Sequence, residues 1–453
     1  MQVSANEKAW RWPGFLLLEH LSKTRKATIP LIGSEVDSPR FRPNALELAA
    51  MPQLPICRRL EKTGWKWSCL VLLCAAVHGA AQITPADGSP SPKLIPRTKA
   101  ERDAQYAFHH RILLNVQVTD SSGYAVTGLN ASDFTLQINN KPQPITSFQA
   151  IEDGGTTAHA HAFFLIDMLN NSARDLAKAQ KAINALGGRS LPLPTSLVVL
   201  NERGTEVRSP SRNAEELAAE LAQVTKGFHQ SECTEDWNNA ALGKAVATMG
   251  SLSDINRSKS REEIAERISD CLNRKYQLSF TSLLGFAHHQ QDVPGRAILI
   301  WIGPGWPILS GSDFSSETPY ARESFFANLV NASTELREGQ VTLHAVSWPA
   351  LSPISKLNYS ELDIVRSISM AAQASARSVA MPVLAHHSGG QVYLREKNLT
   401  PELATCLADA NSYYVLGFDS APSAIPNEFR EIRVIIDKPA VTVRTNTEYY
   451  AQP

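Results

Sequence analysis

The chain has 453 residues, 44 Lys+Arg against 44 Asp+Glu, 43% hydrophobic and 19% charged residues. That composition is globular and excludes a disordered, collagen-like or coiled-coil chain. The balanced charge leaves no net basic field for nucleic acid or an anionic membrane surface, so no nucleic-acid partner is expected.

The first informative segment lies inside the chain. Arg58, Arg59, Lys62 and Lys66 precede the apolar run Cys69–Val77, which ends in small residues up to Ala81-Gln82. A basic start, a short apolar centre and a small-residue exit are the parts of a secretory signal. A bilayer-spanning helix needs about 20 apolar residues, roughly twice this run, so no membrane span is expected in the mature chain. A buried core helix is the other reading of the run. Met51 stands just before the basic residues. Residues 1–50 are therefore expected to be an over-long gene start, 51–81 a signal peptide, and the product exported, periplasmic or extracellular. Residues 82–106, rich in Pro and Ser, read as a linker. Export leaves Cys233, Cys271 and Cys406 in the mature chain. Either Cys233 pairs with Cys271 or all three remain free thiols.

Alternation begins at Ile112, Leu114, Val116 and Val118, followed by a turn at 120–123 and strands at 124–126 and 134–138. This N-terminal β module, 107–150, is too small to close a core alone. From 159 to 410 the pattern changes to apolar strands alternating with helices. Strands are expected at 162–166, 196–200, 297–302, 341–348 and 391–394. Helices are expected after Ser172 and Asn213, around Leu242–Met249, from Ile264 to Phe280, around Phe326–Val330, at 383–385, and after a Thr400-Pro401 cap. The fold class is α/β, a doubly wound, mainly parallel sheet. Strands return at 413–418, 431–436 and 441–444. The C-terminal segment 411–453 is expected to pair with the N-terminal module in a β-sandwich.

The first apolar strand ends in Asp167, and Leu384-Ala-His-His-Ser-Gly-Gly390 precedes the last. With those two features, 162–394 resembles a von Willebrand factor type A domain. Val118-Thr-Asp120, Gly123, Gly128-Leu129, Asp133-Phe134, Tyr413–Phe418, Phe429-Arg430 and Tyr449-Tyr450 resemble the flanks of the VWFA-related proteins abundant in Acidobacteria. The resemblance implies binding of a protein partner at a metal-ion-dependent adhesion site on the sheet's C-terminal edge. Its ligands would be an Asp-x-Ser-x-Ser loop, a Thr and a second Asp. Here the first loop is Asp167-Met-Leu169-Asn170-Asn171, the fourth-strand loop is Gly303-Pro-Gly-Trp306-Pro307 without a carboxylate, and only Thr234, near Trp237, lies where the Thr belongs. Such a set is degenerate. No cofactor is expected, Mg²⁺ at Asp167 and Asn171 being the weak alternative.

Asp167, Asn170, Asn171, Thr234, Trp237, Gly303 and Trp306 thus outline a binding crevice, in which a Trp serves either as a contact residue or as a plug. No Gly-x-Ser-x-Gly elbow, Walker loop or His-Glu-x-x-His helix occurs. The His pairs lack ligand spacing for zinc, and no catalytic residue is assigned. The expected function is non-enzymatic binding of a protein; an envelope assembly protein, or a hydrolase with an unfamiliar site, are the alternatives.

Overall fold

The computed structural model describes residues 110–152, 160–187, 190–228, 254–306, 318–347, 361–394 and 397–453. The expected gene start, signal, linker and Leu242–Met249 helix lie outside them.

Strand β1 (Arg111–Asp120) buries Ile112, Leu114, Val116 and Val118. Asp120 then caps its own turn: its Oδ1 accepts from the amides of Ser122 (2.8 Å) and Tyr124 (3.0 Å), with Gly123 at φ +82°. The strand expected at 124–126 shrinks to a single bridge between Thr119 and Ala125. Positive-φ glycines at 123 and 128 bracket it, so the chain has room for one rung only. Strand β2 (Phe134–Ile138) turns through Asn139 and Asn140, at φ +50° and +62°, into β3 (Lys141–Pro142). Strand β4 (Ser147–Ile151) follows; it is not apparent in the sequence because Phe148 and Ile151 are its only large apolar residues.

The α/β part runs β5 (Ala160–Asp167), α1 (Ala173–Asn184), β6 (Thr195–Asn201), β7 (Gly204–Val207), α2 (Ala214–Val224), α3 (Asp254–Gln290), β8 (Arg296–Ile302), α4 (Pro319–Glu338), β9 (Val341–Val346), α5 (Glu361–Val365), α6 (Met381–His387), β10 (Val392–Tyr393) and α7 (Thr400–Ala408). Ser172 opens α1 with a reciprocal capping box to Asp175, and the Asn213 side chain opens α2. Thr400 does not cap α7. Leu399 takes that position, and the Thr400 hydroxyl donates instead to the Ala182 carbonyl at the end of α1 (3.3 Å). Strands β11 (Tyr413–Asp419), β12 (Glu428–Ile436), β13 (Val441–Arg444) and β14 (Glu448–Ala451) complete the chain.

Among the described residues the strands form a six-stranded sheet, order β10-β9-β8-β5-β6-β7, parallel except for β7, and two four-stranded antiparallel sheets. The parallel strands are mostly apolar because both faces are covered, with polar residues such as Asp167, Thr195, Arg296 and His344 buried among them. Leu165, Leu299, Trp301 and Leu343 pack toward α3, α4 and α6; Phe164, Ile166, Ile298 and Ile300 pack toward α1, α2 and α7. The antiparallel sheets are β13-β1-β11-β4 and β14-β12-β2-β3. Their strands come from both ends of the described chain, with Leu114 opposite Leu416 and Leu136 opposite Val434. One core, including Leu114, Val116, Leu136, Phe418, Ile432 and Tyr449, joins the two sheets face to face. The Tyr414 hydroxyl pins the 126–129 segment over that core, donating to the Val126 carbonyl and accepting from the Leu129 amide. Cys271 is disulfide-bonded, which removes the all-free-thiol alternative. Cys406 is a free, buried thiol, and Cys233, the expected partner, lies outside the described residues. No helix among the described residues is long and apolar enough to cross a membrane.

Candidate functional site

Strand order reverses between β5 and β8, so the ends of these strands form the switch-point crevice of the parallel sheet. Asp167 is the last residue of β5 and is fully buried. Its Oδ1 accepts from the amides of Leu169 (2.9 Å) and Asn170 (3.3 Å), an Asx-type turn that bends the chain toward α1. Its Oδ2 accepts from Asn170 Nδ2 (2.7 Å) and from the Ser279 hydroxyl (2.8 Å). Ser279 comes from α3 and accepts from Trp306 Nε1 at 2.8 Å. A polar chain therefore runs Trp306–Ser279–Asp167, each donor feeding the next acceptor.

Four residues earlier on the same face of α3, Lys275 is nearly buried. Burial pushes its ammonium down, while the charges of Asp167 and Glu202 push it back up. Burial likewise pushes the Asp167 carboxyl above its ordinary value, with the Asn170 and Ser279 side chains and the Leu169 and Asn170 amides opposing the shift. The Asp167 carboxylate and the Lys275 ammonium thus act on each other through their charges.

Asn171 closes the crevice itself. Its Nδ2 donates to the carbonyls of Asp167 (2.9 Å) and Ile302 (3.3 Å), bridging the ends of β5 and β8, and its Oδ1 is buried without a partner. Gly303 makes this possible, because a Cβ there would lie 2.8 Å from Asn171 Nδ2. Gly303→Ala should therefore cost roughly 1–3 kcal/mol. Asn171→Ala in the same chain should return part of that loss, a coupling that a double-mutant cycle of urea midpoints would read. Equal, additive losses would show that the two do not touch.

Trp306 is 2% exposed and meets Trp301, Tyr276 and Phe280 edge to face at 5.4, 5.3 and 5.7 Å. Of the two roles expected for it, this is the plug. Asp167, Asn170 and Asn171 are buried with it, so these residues present no open contact surface, contrary to the crevice expected from the sequence. Thr234 and Trp237 lie outside the described residues.

The donor set does not fit Mg²⁺. Both Asp167 oxygens are taken by protein donors, and Asn171 turns its amide nitrogen to the carbonyl edge. Among the described residues no three His, Cys, Asp or Glu side chains gather for a metal. Ser279 and Lys275 escape sequence reasoning, although their four-residue spacing beside the stripe Leu272, Tyr276 and Phe280 marks two polar groups next to a buried face. His386 and His387 occupy the last turn of α6, where His387 lies 3.0 Å from the buried Glu448 carboxylate of β14. The chain matches no protein-family model, and no curated protein matches it.

Proposed function

We propose that the chain is an exported, non-enzymatic binding protein of the VWFA-related kind, whose von Willebrand factor type A-like domain engages a protein partner without a divalent cation. The doubly wound strand order and an Asp at the end of the first strand of the sheet support the type A-like assignment. Fold alone does not fix function, so the surface must carry the rest.

The observation that carries the proposal is an apolar surface at the crevice's own edge of the sheet. Helices α4 and α5 follow the C-terminal ends of β8 and β9, and there Tyr320 and Leu362 are 79% and 77% exposed, with Val365 and Met370 about half exposed. Arg322 donates to the Ala372 carbonyl (3.4 Å) and Arg377 pairs with Asp363 (3.3 Å). These contacts hold the first turn of α4 beside the 371–373 turn, and α5 beside the following turn at 376–379. Exposed apolar groups gathered in this way mark protein contact surfaces, whereas single ones are ordinary.

Immobilised full-length protein should capture the same envelope protein with and without EDTA, and Tyr320→Ser/Leu362→Ser should lose it. Elution by EDTA would overturn metal independence. Retention by the double variant would overturn this surface. If the captured protein is the chain itself, the function is assembly.

A further inference from the structure

We propose that the cleft between the exit of α6 and the β13–β14 link binds a small organic carboxylate. The cleft has a volume of about 260 Å³ and is partly open to solvent. It sits where the sandwich meets the α/β part, a common place for ligand sites, and its size suits a ligand of a few heavy atoms.

Two glycines shape it. Gly389, at φ +81°, lies so near the link that a Cβ there would be 2.8 Å from Thr445 Cα, and a Cβ on Gly390 would collide with the Leu343 carbonyl. The link can therefore lie against the end of α6 with a hollow beside it. On its far side, β14 leaves β12 at Glu431, while β2 continues along the other edge of β12 as far as Ile436. The Ile432 amide still donates to the Thr447 carbonyl (2.9 Å), so alternation turns the Val434 backbone toward the same unfilled edge.

The walls divide by chemistry. Arg433 and Arg444 supply cationic groups, and no carboxylate lines the cleft. Glu431 engages one nitrogen of Arg433 (3.2 Å), whereas Arg444 donates from one nitrogen to Asp409 (2.7 Å) and from another to the Gly389 carbonyl (3.3 Å). Both guanidiniums have further donors, as their fork geometry provides. Val434 and Val443, only partly buried, form the apolar wall, while Ile432 lines the cleft from the sandwich core.

Thr445 and Thr447 also line the cleft, and the Oγ1 of each is buried without a hydrogen-bond partner. Thr445 as a residue is more than nine-tenths buried. A buried hydroxyl without a partner is costly, and one on each of two residues lining the cleft calls for an external acceptor. His386 is not the counter-charge: burial, then His387, pushes its imidazole down, against the pull of Glu448. The guanidiniums and hydroxyls recognise the carboxylate, and the two valine side chains take a short hydrocarbon body.

Sodium butyrate titrated into the full-length protein should shift the Val434 and Val443 methyl resonances saturably. Acetate should bind about tenfold more weakly, since it lacks two buried methylenes. The Arg433 side chain is exposed, so Arg433→Gln should fold normally by circular dichroism and weaken butyrate at least tenfold. Thr445→Val, a substitution of like shape, should also weaken it. The proposal is overturned if butyrate shows no saturation up to about 50 mM, a concentration at which even very weak binding would register. It is equally overturned if Arg433→Gln binds as tightly as the parent, or if inorganic phosphate competes as well as butyrate, because the apolar wall would then contribute nothing.

Discussion

Replacing Asp167 with Ala should lower the folding free energy by about 3–5 kcal/mol, because several buried donors lose a charged acceptor at once. The loss should be the same in EDTA. Two causes add. The amides of Leu169 and Asn170, the Asn170 side chain and the Ser279 hydroxyl would all lose their acceptor inside the protein. Lys275 would lose the carboxylate that offsets the burial of its ammonium. Carboxylates gathered to hold a cation behave in the opposite way, since removing one relieves repulsion when the cation is stripped. An Ala variant as stable as the parent in EDTA, measured by urea midpoint, would return Asp167 to the role of a ligand. Asp167→Asn should fall between the two, because it keeps one oxygen acceptor but turns an amide toward other donors.

What could be seen in the sequence follows from how strongly burial selects residue type. Strands β5, β6 and β8 are buried on both faces, so each carries a continuous apolar run that places it to within one or two residues; β9 is placed as closely although Thr342 and His344 interrupt its run. Alternation in β1, β12 and β13 is equally plain because each has one face on the sandwich core. Strands β4 and β7 carry few large apolar residues; each is held by its neighbour, β11 and β6 respectively, and nothing in its composition announces it. Strand β14 is different, for it buries all four residues, among them the carboxylate of Glu448, which breaks the expected alternation. At the site, Asp167, Asn171, Gly303 and Trp306 could be picked out as belonging together because they end adjacent strands. Whether they open outward or close inward could not, because Ser279 and Lys275 arrive from a helix more than 100 residues away and turn the polar groups in.

Lowering the pH from about 6.5 toward 3 should remove roughly 4–5 kcal/mol of stability through His344 alone. His344 lies in β9 with 0% exposure, and burial pushes its imidazole down to about 3 from the ordinary 6.5, against the pull of Asp409. Its Nδ1 accepts from the Gln391 amide (3.0 Å), so the neutral ring carries its proton on Nε2, 3.6 Å from Asp409 Oδ2. Burial works to raise the Asp409 carboxyl, but His344, Arg444 and Arg296 outweigh it and hold it below its ordinary value. With the imidazole neutral, the two arginines supply the charge. Arg296 also ties the parallel sheet to the sandwich, donating to Thr342 Oγ1 (3.1 Å), Gln117 Oε1 (3.3 Å) and the Asp409 carbonyl (3.0 Å), with its guanidinium over the Tyr413 ring. A proton on His344 would add a third cation to this enclosed cluster. The sign follows from the depressed value in the folded state. Between about 3 and 6.5 the unfolded chain binds the proton and the folded chain does not, so stability is fully present above 6.5 and falls by about 1.4 kcal/mol per pH unit below it. Asp409, also depressed, contributes its loss only below its ordinary 3.8, so above that pH the acid response belongs to His344 alone of the two. His344→Asn keeps an acceptor for the Gln391 amide and cannot titrate. Urea midpoints at pH 7 and about pH 5 should show the parent losing about 2 kcal/mol more than this variant. Equal losses in the two proteins would mean that His344 does not set the acid response.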